Sequence, residues 1–231
     1  MQKILGIDTN AKTVKGQKRG YLTGICYLAP SDESGVMNTC PNASAGCRKA
    51  CLFTAGRGAM SNVRNPRVAK TVDFFQNREA WLSRLSKEIG ALVRKAEKDG
   101  KTPCVRLNGT SDIAWEETGI MGLFPTVQFY DYTKSWKRAL AFAGGELPAN
   151  YHLTFSRSES NENRVQEVLS AGTVNVAVVF RNALPSTFYG RPVVNGDESD
   201  LRFLDPAGVV VGLVDKGKAK KDSTGFVVES V

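Results

Sequence analysis

Histidine is almost absent: His152 is the only one in 231 residues, which excludes metal sites built on two or three histidines. Long apolar runs are absent as well, and no segment reaches the roughly 20 residues that a membrane-spanning helix needs. The first residues lack the apolar core of a secretory signal. We therefore expect a cytoplasmic protein without a membrane partner, made where thiols stay reduced.

Cysteine is scarce, and its five copies form an odd number. An odd count in a reducing compartment argues against a framework of paired disulfides. Cys26 and Cys104 each lie inside an apolar segment, so we predict that both belong to the core. Cys40, Cys47 and Cys51 differ, because they share one polar loop at the spacing C-x6-C-x3-C.

Acidic residues are fewer than basic ones, 23 against 31, which leaves a net charge of +8. A basic surface attracts polyanions, so nucleic acid and nucleotides are the predicted partners. The excess is partly local, with lysines crowding residues 1–20 and 215–231. The alternative is a surface charge that only keeps the protein soluble.

Neither an internal repeat nor a low-complexity linker divides the chain, so we predict one α/β domain over residues 1–231 with basic terminal segments. Apolar segments typical of strands alternate with helical ones. The predicted strands are 21–28, 104–107, 127–130, 152–155, 175–180 and 209–213. Three helices are predicted: one that starts at Asn65-Pro66, one that starts at Asn77, and one that covers residues 162–170. Six strands with helical crossovers predict a partial (βα)6, TIM-barrel-like parallel sheet with a cysteine-rich loop after the first strand.

In parallel α/β proteins, functional residues lie just past the carboxyl ends of the strands. Four of the predicted strands end in polar segments, which are 108–112, 131–135, 156–159 and 181–182. Four such segments on one edge favour a pocket over helix caps alone. Asp112 and Ser158 are equally compatible with caps.

Three thiols in one polar loop favour a metal or cluster site, with Cys40, Cys47 and Cys51 as its ligands. They suit a [4Fe-4S] cluster in which one iron stays open to a further ligand. Zinc is the alternative, but a structural zinc ion needs a fourth ligand. The candidates for that ligand are Cys26, Cys104, His152 or an aspartate. Chance grouping and redox regulation are further alternatives.

A cysteine-triplet loop after the first strand, followed by further βα units, resembles the radical S-adenosylmethionine (radical-SAM) enzymes. The resemblance implies a [4Fe-4S] cluster whose open iron binds S-adenosylmethionine, and a radical that abstracts hydrogen from the substrate. The family's usual spacing is C-x3-C-x2-C, and its Gly-Gly-Glu stretch is absent unless residues 108–112 replace it.

The same resemblance implies two sets of site residues. Those that would bind the cofactor are Asn108, Ser111, Asp112, Ser156, Arg157 and Ser158. Those that would face the substrate are Asp131, Tyr132, Lys134 and Arg181, with Tyr132 as a candidate hydrogen donor.

Five longer segments of the sequence are similar to a phage-encoded family that is catalogued as a gene product. They are residues 20–24, 50–58, 106–112, 129–134 and 201–206. This similarity implies a phage or prophage origin, and hence the cytoplasm of a host cell, and it brings no activity with it.

Two functions follow from these observations. The first is an iron–sulfur, radical-SAM-like phage enzyme acting on a phosphorylated or nucleic-acid-linked substrate. The second is a non-catalytic nucleic-acid-binding phage protein in which zinc or an iron–sulfur site only fixes the long loop. A metal-free hydrolase or transferase is a third alternative, but the chain has neither a second histidine nor an evident nucleophile motif.

Overall fold

The computed structural model describes residues 2–7, 11–54 and 56–230. Together they form a mixed α/β fold whose ten strands are mostly parallel. The chain divides into two compact units. The first unit comprises Met1–Pro41, Met60–Asp131 and Pro148–His152, and the second comprises Asn42–Ala59, Tyr132–Leu147 and Leu153–Val231.

The first unit carries the amino-terminal strands and the long helices. Its strands, in spatial order, are β1 (Leu5–Ile7), β2 (Tyr21–Cys26), β3 (Thr102–Arg106) and the start of β4 (Gln128–Thr133). β1 is antiparallel to β2, whereas β2, β3 and β4 are parallel. Its helices are α1 (Ala11–Gln17), α3 (Ser61–Gln76) and α4 (Arg78–Lys98).

The core of the first unit is built on one face of α4. Five apolar side chains recur at helical spacing and are buried: Trp81, Leu85, Ile89, Leu92 and Ala96. This face packs on β1, β2 and β3. The Trp81 ring stacks on Trp115 with centroids 5.6 Å apart. Apolar side chains at this spacing are typical of a helix that faces a core. Each large side chain among them contributes about 1.5–3 kcal/mol by burial.

The second unit carries the remaining strands. β5 (Tyr151–Ser156), β6 (Asn175–Phe180), β9 (Val210–Val214), β8 (Arg191–Asn195) and β7 (Thr187–Phe188) follow one another, and β10 (Val227–Val228) also pairs with β6. Only the β7–β8 pair is antiparallel among the pairings described for this unit. Its helices are α2 (Ala45–Lys49), α5 (Trp136–Ala143) and α6 (Glu162–Ser170), and the last two cover an apolar core on β5, β6 and β9.

The α/β class is confirmed, and all six predicted strands are confirmed to within three residues at their ends. The number of strands is ten rather than six, because β1, β7 and β10 are too short to show a period and β8 contains Pro192. The described strands do not close into a barrel. TIM-barrel-like curvature and the single-domain organisation stay predictions.

The predicted helix start at Asn65-Pro66 is wrong. α3 begins at Ser61 and holds Pro66 in its second turn, where the helix continues at the cost of one backbone hydrogen bond. The predicted boundary at Asn77 is confirmed, and so is the helix over Glu162–Ser170. No helix in the described ranges is long and apolar enough to cross a membrane.

Candidate functional site

In the first unit, the polar segment after β3 forms a buried hydrogen-bond network centred on Asn108. The Asn108 Oδ1 atom accepts from Ser111 Oγ at 2.8 Å and Trp115 Nε1 at 3.0 Å. It also accepts from Ile113 N at 2.9 Å, while Asn108 Nδ2 donates to Ile113 O at 2.9 Å. Asn108 is 2% exposed, so its buried side-chain amide fixes the conformation of residues 108–115 through these hydrogen bonds.

Asp131 joins the same network from within β4. Its carboxylate accepts from the backbone N–H of Asn108 at 2.7 Å and from Tyr151 Oη at 3.1 Å. Asp131 is 1% exposed and Ser111 is 9% exposed. The structure therefore brings together three residues predicted for the site, Asn108, Ser111 and Asp131, but places them beneath the surface.

The rest of the segment is tied to the carboxyl end of β2. Gly109 N donates to Cys26 O at 2.9 Å, and Thr110 Oγ1 donates to Leu28 O. Asp112 N donates to the carbonyl of Thr39 at 2.8 Å, and the Cys40 thiol lies 3.7 Å from Thr110 O. Asp112 and Cys40 are half-buried and so more accessible than Asn108.

In the second unit, the carboxyl end of β4 meets that of β5. Lys134 Nζ donates to Ser156 Oγ at 2.9 Å and lies 5.7 Å from the centre of the Phe226 ring. Tyr132 is half-buried, and Ser158 is fully buried with its N–H bound to Asn161 Oδ1 at 2.7 Å. Lys134 and Ser156 are thus the pair of predicted site residues that this edge brings into contact.

Arg157 and Arg181 both fix the carboxyl-terminal segment. Arg157 donates to Glu162 at 2.6 Å and to the carbonyls of Gly225 and Phe226. Arg181 donates to Asp215 and Glu229. It also donates to the backbone carbonyls of Ala219, Lys220 and Asp222. We name residues 217–221, a short 3₁₀ helix, the lysine turn; Arg181 holds this turn at the end of β6.

Part of the cysteine-rich loop after β2 forms the short helix α2, which contains Cys47 and lies in the second unit. Ser44 caps it by accepting from Cys47 N at 3.1 Å. Ala50 and Cys47 pack in an apolar cluster with Ala219, Phe226 and Val227. The predicted long loop is therefore not structureless, since the carboxyl-terminal segment and the lysine turn support it.

Among the described residues, no three His, Cys, Asp or Glu side chains are grouped so that they could hold a metal ion. Cys40 belongs to the first unit, and Cys47 and Cys51 belong to the second. We derive no step through a [4Fe-4S] cluster, zinc or S-adenosylmethionine. The cysteine assignment and these cofactors stay predictions.

Cys26 and Cys104 are core residues, as predicted. Both are fully buried and none of the five cysteines forms a disulfide. Burial raises the pKa of the Cys26 thiol to about 12, so it stays protonated at neutral pH. Cys104 lies 3.1 Å from the hydroxyl of Thr23.

Five exposed cationic side chains of the second unit form what we name the basic face: Arg48, Lys49, Lys218, Lys220 and Lys221. The first two lie on α2 and the others on the lysine turn. The apolar cluster holds the two segments together, because Ala50 directly follows the pair on α2 and Ala219 lies between Lys218 and Lys220. Lys216 precedes the lysine turn and is paired with Asp197.

The acidic residues next to the lysine turn point inward. Asp215 is 2% exposed and is paired with Arg181, and Asp222 is 8% exposed. Burial alone would raise the pKa of Asp222, but hydrogen bonds from Val227 and Thr224 outweigh it and leave the pKa lowered. Asp215 is therefore neutralised by Arg181, and the ionised Asp222 carboxylate is turned toward Val227 and Thr224 rather than toward solvent.

Glu159 is a residue of this region that the sequence did not single out. Its carboxylate binds Ser44 and Gly46, which lie 115 and 113 positions away in the chain. Contacts between residues so far apart leave no recognisable pattern in the sequence around Glu159. In the sequence it therefore resembles any other polar residue that follows a strand.

No curated protein matches the chain, and no solved structure matches it. The resemblance to radical-SAM enzymes receives no support from these comparisons. The family model described as Gene product 88 matches residues 4–230, in agreement with the similarity to a phage gene product. The chain belongs to the Gene product 88 family.

Proposed function

We propose that the protein binds nucleic acid through the basic face of its second unit. The observation that carries the proposal is the basic face itself: five exposed cations on two segments joined by one apolar cluster, with the neighbouring Asp215 and Asp222 buried. A fixed array of cations next to buried acids is suited to a row of phosphates.

Binding of this kind is governed by phosphate contacts rather than by base sequence. Each lysine or arginine that neutralises a phosphate of duplex DNA contributes about 0.9 to the slope of log K against log salt. Five contacts therefore give a slope of about −4.5. This slope separates the proposal from binding of a small anion, which would involve fewer contacts.

The test measures fluorescence anisotropy of a labelled DNA duplex between about 50 and 200 mM salt, a range over which several phosphate contacts change affinity by orders of magnitude. The test variant replaces Lys218, Lys220 and Lys221 by alanine. We expect it to bind more weakly and to reduce the magnitude of the slope by about 2.7, three times the contribution of one contact.

The matched control removes the same charge elsewhere. Lys3, Arg94 and Lys98 are exposed residues of the first unit, and their replacement by alanine should leave the slope unchanged. Equal losses in the two triple variants would show that only net charge matters and would refute the basic face as the binding surface. Absence of salt-dependent binding by the wild-type protein would refute the proposed function.

A further inference from the structure

Glu159 lies just after β5 and holds the start of α2 with both carboxylate oxygens. Its Oε1 accepts from the backbone N–H of Gly46 at 2.7 Å, and its Oε2 accepts from the hydroxyl of Ser44 at 2.7 Å. The Ser44 oxygen in turn accepts from Cys47 N. One carboxylate thus satisfies the amide at the first turn and also orients the residue that caps it.

α2 depends on this support because it has only five residues. A helix this short is not stable by itself in water, so tertiary contacts must hold it. Gly46 shows how closely it is seated: an added Cβ would lie 2.7 Å from Phe226 Cβ and 2.8 Å from Glu159 Oε1. Arg48 and Lys49 follow on the same helix and are exposed.

We infer that Glu159 is a positioning residue for nucleic-acid binding: it fixes α2 so that Arg48 and Lys49 join the lysine turn in one cationic surface. The inference rests on the proposed function and extends it to a residue that does not touch the ligand. An acidic side chain here strengthens binding to a polyanion, because the order that it imposes outweighs the negative charge that it adds.

The test compares Glu159→Ala with Glu159→Gln in the DNA anisotropy assay. Glu159→Ala removes both hydrogen bonds, and we expect the magnitude of the salt slope to fall by about 1.8 as Arg48 and Lys49 lose their fixed positions. Glu159→Gln keeps an acceptor for Gly46 N–H and can donate to Ser44 Oγ, so the slope should stay near the wild-type value. A general effect of charge would predict tighter binding in both variants.

A second readout does not depend on DNA. Cys47 lies on α2 and packs in the apolar cluster, so its labelling by a maleimide, followed by peptide mass spectrometry, reports release of the helix. We expect labelling of Cys47 to be at least about tenfold faster in Glu159→Ala, because both hydrogen bonds that hold the helix are lost. In Glu159→Gln, which can keep both hydrogen bonds, labelling should stay close to the wild-type rate. Gly46→Ala, which unseats the same helix by steric conflict, should reproduce both effects of Glu159→Ala.

The outcomes separate the two proposals. If wild-type protein binds DNA and Glu159→Ala keeps the full salt slope, the inference is overturned while the proposed function stands. If Cys47 labelling is unchanged in Glu159→Ala, Glu159 does not hold α2, and the inference is overturned as well. If the wild-type protein does not bind DNA, the proposed function fails and the role of Glu159 in binding fails with it.

Discussion

Replacement of Asn108 by alanine should destabilise the first unit strongly, because Asn108 is the hub of its buried network. The substitution leaves Trp115 Nε1 and the backbone N–H of Ile113 without their acceptor. A buried donor left unsatisfied costs about 1–3 kcal/mol, so the two together should lower the free energy of unfolding by about 2–6 kcal/mol. Loss of a helix cap alone would cost only about 1 kcal/mol.

Tryptophan fluorescence during denaturation by urea measures this loss. Trp81 and Trp115 both lie in the first unit, whereas Trp136 lies in the second. A Trp136→Phe background therefore restricts the signal to the unit that contains Asn108. Asn65→Ala is the matched control, since Asn65 is exposed on α3 and alanine favours a helix.

If Asn108→Ala lowers the free energy of unfolding by less than about 1 kcal/mol, Asn108 is not the central acceptor of the network. Such a result would mean that Trp115 Nε1 and the Ile113 N–H find other partners at little cost. If Asn108→Ala does not fold, Ser111→Ala gives a milder test. It removes one donor to Asn108 Oδ1 and should cost about 0.5–1.5 kcal/mol. The cofactor-binding hypothesis for Asn108 makes the opposite prediction, namely an intact fold and lost ligand affinity.

Three further predictions concern cysteines and pH. Cys26→Ala and Cys104→Ala should each lower the free energy of unfolding by about 1–3 kcal/mol, measured by chemical denaturation, because both residues are fully buried. The hydrogen bonds that lower the pKa of Asp222 stabilise residues 222–228 at neutral pH. This stabilisation should be lost as the pH falls below the ordinary value of 3.8 and through the lowered pKa, so that amide hydrogen exchange in this segment accelerates. An exchange rate that stays constant after correction for intrinsic chemistry would contradict this. The cluster hypothesis predicts about four irons per chain after purification without oxygen, and less than one iron in Cys47→Ala; zinc without iron would contradict it.

The sequence by itself determined the parts of this protein that depend on the pattern of apolar residues. The stripe on α4 and the segments that became β2 and β6 show their period or their apolar run within a few residues. The burial of Cys26 and Cys104 followed from the strands that contain them. Net charge and the lysines near the carboxyl terminus are also properties of the sequence alone.

The tertiary structure decided which polar residues meet. Asn108 and Asp131 lie 23 positions apart, and Glu159 binds residues more than 110 positions away. Polar strand ends predicted a pocket, but whether such a side chain faces solvent or a buried partner depends on contacts that no local pattern encodes. Arg181 shows the difference. The resemblance to radical-SAM enzymes implied that it faces substrate, and in the structure its guanidinium donates hydrogen bonds to the lysine turn. Burial of apolar groups is non-directional and can be recognised from a run of residues, whereas hydrogen bonds are directional and depend on which distant segments the fold brings together.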